Sequence, residues 1–309
     1  MNSQNRMRAV GLAFIAAALL WLPGSPATAH AAVSVVATTP ELAALVREVG
    51  GDSVEVTAIA KPLQDPHYLD AKPSHMVTLN RADALFFTGL ELEVGWLPLL
   101  IQGARNPDLM LVDLSEGISV LGKPAGSVSR ASGDVHPLGN PHYWADPRNG
   151  AIMASTIASA LKRADPDHAA DYDRRLIAFR DKLQAKLPGW EGKLAPYKGT
   201  AVLDYHTTWL YFTQWAGLNV VNQIEDKPGI PPAPGHVQTV MAQIKRDKVR
   251  LLIQTNYVDP KVGDFLNRRT GIRVLALPAT VEGEPGIKTW FDFFDQIVAR
   301  VADALRQSA

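Results

Sequence analysis

The chain has 309 residues, 47% of them hydrophobic, which suits one large globular domain or two ordinary ones. Lys plus Arg and Asp plus Glu both number 31, so the formal net charge is zero. Proteins that bind phosphate backbones normally carry a basic excess, so this balance argues against a nucleic acid as the main partner. The lack of cysteine excludes disulfides, thiolate metal sites and a lipid anchor on an N-terminal cysteine.

The N-terminal residues follow the order of a secretory signal peptide. Arg6 and Arg8 precede an apolar run over residues 9–22, and a small-residue pattern follows at 27–29. The apolar run is shorter than the roughly 20 residues that a membrane-spanning helix needs. We therefore predict a signal peptide over residues 1–31 and a periplasmic protein without a lipid anchor.

Beyond this segment, short β-branched runs alternate with helical patterns, which predicts a mostly parallel sheet flanked by helices. The predicted strands of the first half are 34–38, 54–60, 84–87 and 109–114, and the predicted helices are 40–49, 73–81, 94–104 and 149–163. A loop rich in Gly and Ser, residues 115–139, separates the last of these strands from the last helix. We assign residues 32–165 to an N-terminal α/β lobe.

A long, charged helical pattern over about residues 167–187 comes next. Because it lies between two α/β blocks, we interpret it as a connecting helix, residues 166–190, that lies across both. The alternation then restarts, with predicted strands 200–203, 251–254 and 273–277 and predicted helices 207–215, 236–246, 260–269 and 287–305. The predicted fold is therefore α/β, with a second lobe over residues 191–309 and one long connecting helix.

Three histidines lie in loops or at the ends of predicted elements. His67 and His142 each follow a proline, and His206 follows the predicted strand 200–203. Loops at the carboxyl ends of parallel strands converge, and the cleft between two such lobes is a common ligand site. Three neutral imidazoles in that cleft would bind a borderline divalent cation, zinc above all. On spacing alone, three ordinary loop histidines remain the competing interpretation.

The motifs around these histidines resemble those of the metal-specific periplasmic solute-binding proteins of ABC importers, the zinc and manganese uptake group. The resemblance rests on Asp65-Pro66-His67-Tyr68 with Pro73-Ser74, on the segment from Asn140-Pro141-His142 to Asp146-Pro147, and on Tyr205-His206 with Gly217-Leu218. It implies that His67, His142 and His206 bind the metal and that the protein delivers it to a membrane permease. Three histidines favour Zn2+ over Mn2+, because manganese sites contain more carboxylate oxygen. We expect a monomer.

The sequence departs from the family at the fourth ligand. The usual aspartate after the late strand is missing, and the chain has Pro278-Ala279-Thr280-Val281-Glu282 there. Glu282, Asp226 or water could complete the site, and the sequence does not choose among them. The loop before the second motif, often long and His-rich in zinc-type members, is short here and holds Asp134 and His136, which we interpret as weak accessory sites at most. The remaining histidines are predicted to be surface residues: His30, His75, His168 and His236.

Neighbouring carboxylates are expected to orient the imidazoles through their second ring nitrogen. Asp65, Asp146 and Asp204 are the nearest candidates, although each could equally be a helix or turn cap, the role we favour for Asp146 before Pro147.

Three histidines around an open position also describe a hydrolytic zinc site, so an exported zinc-dependent hydrolase is the alternative. Only Glu282 could serve as its general base, and the chain has no His-Glu-x-x-His helix. The seven tryptophans could instead stack on an organic ligand, but their scatter along the chain favours packing. We therefore predict a metal-binding protein and not an enzyme.

Overall fold

Two four-stranded parallel sheets form the frame of the protein. The computed structural model describes residues 32–126, 128 and 133–308, so the predicted signal peptide lies outside the described residues. The first sheet contains β1 (Val33–Ala37), β2 (Val54–Ala58), β3 (Ala84–Phe87) and β4 (Met110–Asp113), in the order β2-β1-β3-β4. The second contains β5 (Ala201–Asp204), β6 (Asn219–Gln223), β7 (Leu251–Thr255) and β8 (Arg273–Leu277), in the order β6-β5-β7-β8. The two sheets thus repeat one topology, and the predicted α/β fold with two lobes is confirmed.

Helices cover these sheets. The first lobe has α1 (Pro40–Gly50), α2 (Pro73–Asn80), α3 (Leu97–Ala104) and α4 (Asn149–Ala164), and α5 (Ala169–Leu194) follows. The second lobe has α6 (Leu210–Ala216), α7 (Pro234–Arg246), α8 (Lys261–Thr270) and α9 (Trp290–Gln307). Proline occupies the first turn of α1, α2, α3 and α7, where its missing N–H costs nothing. Within the described residues, no helix is both long and apolar enough to cross a bilayer.

The connecting helix is longer at its C-terminal end than predicted. The sequence predicts a helical pattern over about residues 167–187 and a connecting helix over 166–190, whereas α5 begins at Ala169, runs for 26 residues, about 39 Å, through Pro188, and ends at Leu194. Proline normally breaks a helix because the carbonyl four residues earlier loses its donor. Here Pro188 and Gln184 are exposed, so solvent can satisfy that carbonyl. Beyond the proline, Trp190 anchors the helix by donating its indole N–H to Asp295 of α9 at 2.8 Å.

Strand β6 was not predicted at all. Its sequence has polar residues at three of five positions, and the strand is half-buried at the edge of its sheet. Such a pattern lacks the apolar run of the central strands. Side-chain contacts from α7 support it, because Gln243 donates to the carbonyl of Val221 at 3.0 Å and accepts from the amide of Asn222 at 2.8 Å.

One buried core joins the two lobes. The largest cluster of buried apolar side chains includes residues of both sheets together with α1, α4, α5 and α9. Its centre is aromatic: the ring centroids of Trp290 and Phe294 are 4.4 Å apart, and Phe179 of α5 lies 5.4 Å from Trp290. A Cβ atom at Gly150 of α4 would lie 2.5 Å from the Trp290 ring, so only glycine permits this approach. A shared core of this kind predicts small relative motion of the lobes.

A buried carboxyl group lies in the first lobe. Glu41 at the start of α1 is 1% exposed. Burial is the main cause that raises its pKa to about 7, with contacts to its own backbone and Thr39 opposing the rise and Glu93 adding to it. Glu93 itself is 3% exposed, and its carboxylate accepts the Thr38 hydroxyl at 2.7 Å.

Candidate metal centre

The three histidines predicted from the sequence come together between the lobes. His67 lies in the loop after β2, His142 in the turn before α4, and His206 directly after β5. Their ring centroids are 5.3 to 5.5 Å apart. One ring nitrogen from each forms a set whose members lie within 4.8 Å of one another, whereas nitrogens around tetrahedral zinc are about 3.4 Å apart. Small side-chain shifts are therefore enough to place all three on one ion.

The same three-residue motif, an Asx residue, a proline and a histidine, positions two of the histidines. In Asp65-Pro66-His67, a carboxylate oxygen of Asp65 accepts the backbone N–H of His67 at 3.0 Å and lies 2.7 Å from its Nδ1. In Asn140-Pro141-His142, the amide oxygen of Asn140 makes the same two contacts with His142 at 2.8 and 3.0 Å. Because both oxygens can only accept, Nδ1 carries the proton and the Nε2 lone pair is left for a ligand.

The third histidine is held by a residue that the sequence did not indicate. Nδ1 of His206 lies 2.9 Å from a carboxylate oxygen of Glu225, which follows the unpredicted strand β6. Of the three candidate carboxylates, Asp65 contacts an imidazole of the cluster, and the other two have the alternative role of caps. Asp204 is buried and accepts the backbone N–H of Trp209 at 3.0 Å. Asp146 accepts the N–H of Arg148 at 2.9 Å, which is the alternative role of a turn cap.

The electrostatics favour an uncharged imidazole at His142 and a charged carboxylate at Asp65. Burial, followed by the neighbouring histidines, lowers the pKa of His142 well below its usual value. Burial also raises the pKa of Asp65, but its hydrogen bonds with His67 outweigh this and leave the pKa below normal. The Nε2 atoms of His67 and His206 are buried and have no hydrogen-bond partner among the described residues. Ring nitrogens without a hydrogen-bond partner are available to bind a divalent metal.

Neither acidic candidate for the fourth position belongs to this set. Among the described residues, the ligand atoms that come together are those of the three histidines. The carboxylate of Glu282 is half-exposed and lies 3.8 Å from Nη1 of Arg47, and Asp226 is exposed.

His136, expected to be an accessory residue at most, lies beside the cluster. Its ring centroid is 5.3 Å from that of His67, and burial, followed by His67 and His206, lowers its pKa to about 4. Of the histidines predicted to be surface residues, His75, His168 and His236 are partly exposed, and His30 lies outside the described residues.

The contact between Glu225 and His206 yields a first prediction. We expect Glu225→Gln to weaken zinc binding about tenfold, because loss of a partner that orients a metal-binding imidazole commonly costs about 10- to 100-fold in affinity. Competition with a chromophoric chelator measures the change. Asp226→Asn, the adjacent and exposed acid, is the matched control and should bind zinc as the unaltered protein does. The opposite ranking of the two variants would make Asp226 the functional acid.

Two lobes of one topology, joined by a long helix and with imidazoles from both lobes in the cleft, define a two-lobed solute-binding protein. The profile of the family described as "Zinc-uptake complex component A periplasmic" matches residues 35–304. The chain belongs to that family, and the resemblance predicted from the motifs is confirmed.

Similar proteins agree with this assignment. The manganese ABC transporter substrate-binding lipoprotein PsaA of Streptococcus pneumoniae serotype 4 is 25% identical over 252 residues, or 79% of each chain. The metal ABC transporter substrate-binding lipoprotein ScbA of Streptococcus cristatus is 25% identical over 91% of each chain. A crystal structure of ZnuA has a TM-score of 0.76 at 24% identity, covering 88% of this chain and 99% of that one. A manganese-bound periplasmic metal-binding protein from candidatus liberibacter asiaticus has a TM-score of 0.73 at 16% identity, with the same coverage.

The family settles the class of activity. Its members are substrate-binding proteins of ABC importers, so this chain is an extracytoplasmic metal-binding protein that works with a permease. The prediction of a binding protein and not an enzyme is confirmed, and the hydrolase alternative is dropped. The names of PsaA and ScbA describe lipoproteins, which conflicts with our expectation that no lipid anchor is present.

Proposed function

We propose that the protein captures one divalent metal ion, zinc in preference to manganese, between His67, His142 and His206 and passes it to the permease. One observation carries the proposal. Each of the three Nδ1 atoms lies within 3.0 Å of an oxygen acceptor, so all three Nε2 lone pairs are free for the ion. A histidine cluster without a ligand role has no reason to share this tautomer.

The donor set supports zinc. Three neutral imidazoles suit a tetrahedral zinc ion, whereas manganese prefers sites with more carboxylate and water oxygen. No carboxylate belongs to the set of converging ligand atoms within the described part of the chain. PsaA is named a manganese protein and ScbA only a metal protein, so the choice of metal rests on the donors of this chain.

Hydrogen bonds that join the two lobes support capture of the ion between them. The amide of Asn140 donates to the carbonyl of Thr207 at 2.8 Å, and the Tyr211 hydroxyl donates to the carbonyl of Asn140 at 2.9 Å. The Thr280 hydroxyl of the second lobe also donates to the carbonyl of Pro62 in the first lobe at 3.1 Å. Asn140 thus orients His142 and also ties it to the loop that carries His206. The bound ion would be held by side chains that the lobes position jointly.

Calorimetric titration of the metal-free mature protein with zinc and with manganese tests the proposal. We expect one zinc ion per chain and weaker binding of manganese. Tighter binding of manganese would overturn the choice of metal, and the lack of one-to-one binding of either ion would overturn the capture of metal at this site. The monomeric state remains a prediction, which light scattering on the same sample checks.

A further inference from the structure

The loop that precedes the His142 motif is fastened to the second lobe. The backbone N–H of Asp134 donates to the carbonyl of Pro228 at 2.7 Å, and the Asp134 carboxylate accepts the hydroxyl of Tyr68. Gly133 has a φ of +75°, and a Cβ atom there would lie 2.2 Å from the Pro228 carbonyl oxygen. Only glycine permits this approach. Residues 133–139 therefore form a strap between the lobes.

The strap contacts the segment that orients His206. Gly229, next to Pro228, donates its backbone N–H to Glu225 at 2.7 Å, and the same carboxylate oxygen lies 2.9 Å from Nδ1 of His206. Glu225 therefore holds both the loop at residues 228–229, which the strap contacts, and the imidazole of His206. The position of the strap is therefore coupled to the histidine cluster.

The strap brings His136 against the cluster. The His136 and His67 ring centroids are 5.3 Å apart, the same separation as between His67 and His142. Nε2 of His136 is buried and has no hydrogen-bond partner in the described part of the chain, as is true of Nε2 of His67 and His206. A buried polar atom without a partner is unfavourable, so its retention calls for an occupant of the site.

We propose that His136 is the fourth metal ligand and takes the place of the missing aspartate. This inference rests on the proposed function and adds a fourth nitrogen to it. The mutually close ligand atoms belong to the other three histidines, so His136 must turn toward the ion from beside His67. Two side-chain torsions on a loop allow that movement. A site of four nitrogens is matched to zinc and lacks the oxygen that manganese prefers, so His136 would also determine metal specificity.

X-ray absorption at the zinc edge tests the proposal, because scattering from imidazole rings counts the histidines bound to the ion. We expect four imidazoles in the zinc-loaded protein and three with one oxygen in His136→Ala. We also expect His136→Ala to bind zinc about 10- to 100-fold more weakly, since loss even of an outer partner of a zinc ligand commonly has that effect. His75→Ala, a histidine of α2, is the matched control and should retain four imidazoles and the original affinity.

If the zinc ion has three imidazoles and one oxygen in both the unaltered protein and His136→Ala, His136 is not the fourth ligand. That result would leave one-to-one zinc binding, and therefore the proposed function, intact. A change of that oxygen signal in Glu282→Gln would assign the position to Glu282 and also exclude His136 as the fourth ligand. Failure of the unaltered protein to bind zinc would instead remove the proposed function, and with it the role of His136.

Discussion

His142→Ala should weaken zinc binding more than about a hundredfold. This loss exceeds that expected for removal of an outer partner of a ligand, because the substitution removes a ligand itself. Among the three histidines, His142 is the most buried, at 2% exposure. Its Nδ1 is held by Asn140, which also bonds to the loop of His206. A water molecule entering the vacated space would supply oxygen where the site provides nitrogen. Chelator competition measures the loss.

A buried substitution can also unfold a protein, so the affinity must be compared with stability. His142→Gln retains most of the side-chain volume and should lose zinc binding to a similar degree. Thermal unfolding of the metal-free variants shows whether each one is folded, and His75→Ala serves as the control for removal of a histidine. Near-normal zinc affinity in a folded His142→Ala protein would contradict its role as a ligand.

Glu41→Gln should make the protein less sensitive to pH. The pKa of Glu41 rises from 4.5 to about 7 on folding. Between these values the folded state keeps a proton that the unfolded state has lost, so the contribution of Glu41 to stability is greatest below pH 4.5 and is lost as pH rises through about 7. Glutamine cannot ionise. Relative to that of the unaltered protein, the free energy of unfolding of the variant should therefore increase by about 2 kcal/mol between pH 5 and pH 8.

Urea unfolding of the metal-free protein at both pH values measures this shift, and taking differences removes the contributions of the histidines common to both proteins. Glu55→Gln is the matched control, the same chemical change at an exposed residue of β2. Equal pH dependence of the two variants would contradict the assignment of a buried, protonated carboxyl group at Glu41.

The convergence of the three histidines was predictable in part because local sequence positions two of them. Asp65-Pro66-His67 and Asn140-Pro141-His142 are the same pattern, in which an acceptor side chain binds both the backbone N–H and the ring of the histidine two residues later. A proline between them restricts the backbone. The pattern indicated a histidine on a conformationally restricted backbone. Asn140 was missed as the residue that orients His142, although the repeat of an Asx residue two positions before both His67 and His142 was a usable signal.

Features that depend on distant parts of the chain were not predictable. Glu225 follows β6, an edge strand whose polar sequence gave no strand pattern, so no local signal connects this acid with His206. The continuation of α5 beyond the predicted residue 190 accompanies the contact between Trp190 and Asp295, 105 positions apart. Loop geometry likewise decides the place of His136, because Gly133 and Asp134 must meet Pro228 in the other lobe. Composition and spacing give the order of the elements, but not such contacts.

The most direct test of the central claim is a crystal structure of the zinc-loaded protein with anomalous diffraction recorded at the zinc edge. We predict one strong peak between the lobes, about 2.0–2.1 Å from the Nε2 atoms of His67, His142 and His206. A peak elsewhere, or one that contacts fewer than all three of these histidines, would contradict the account.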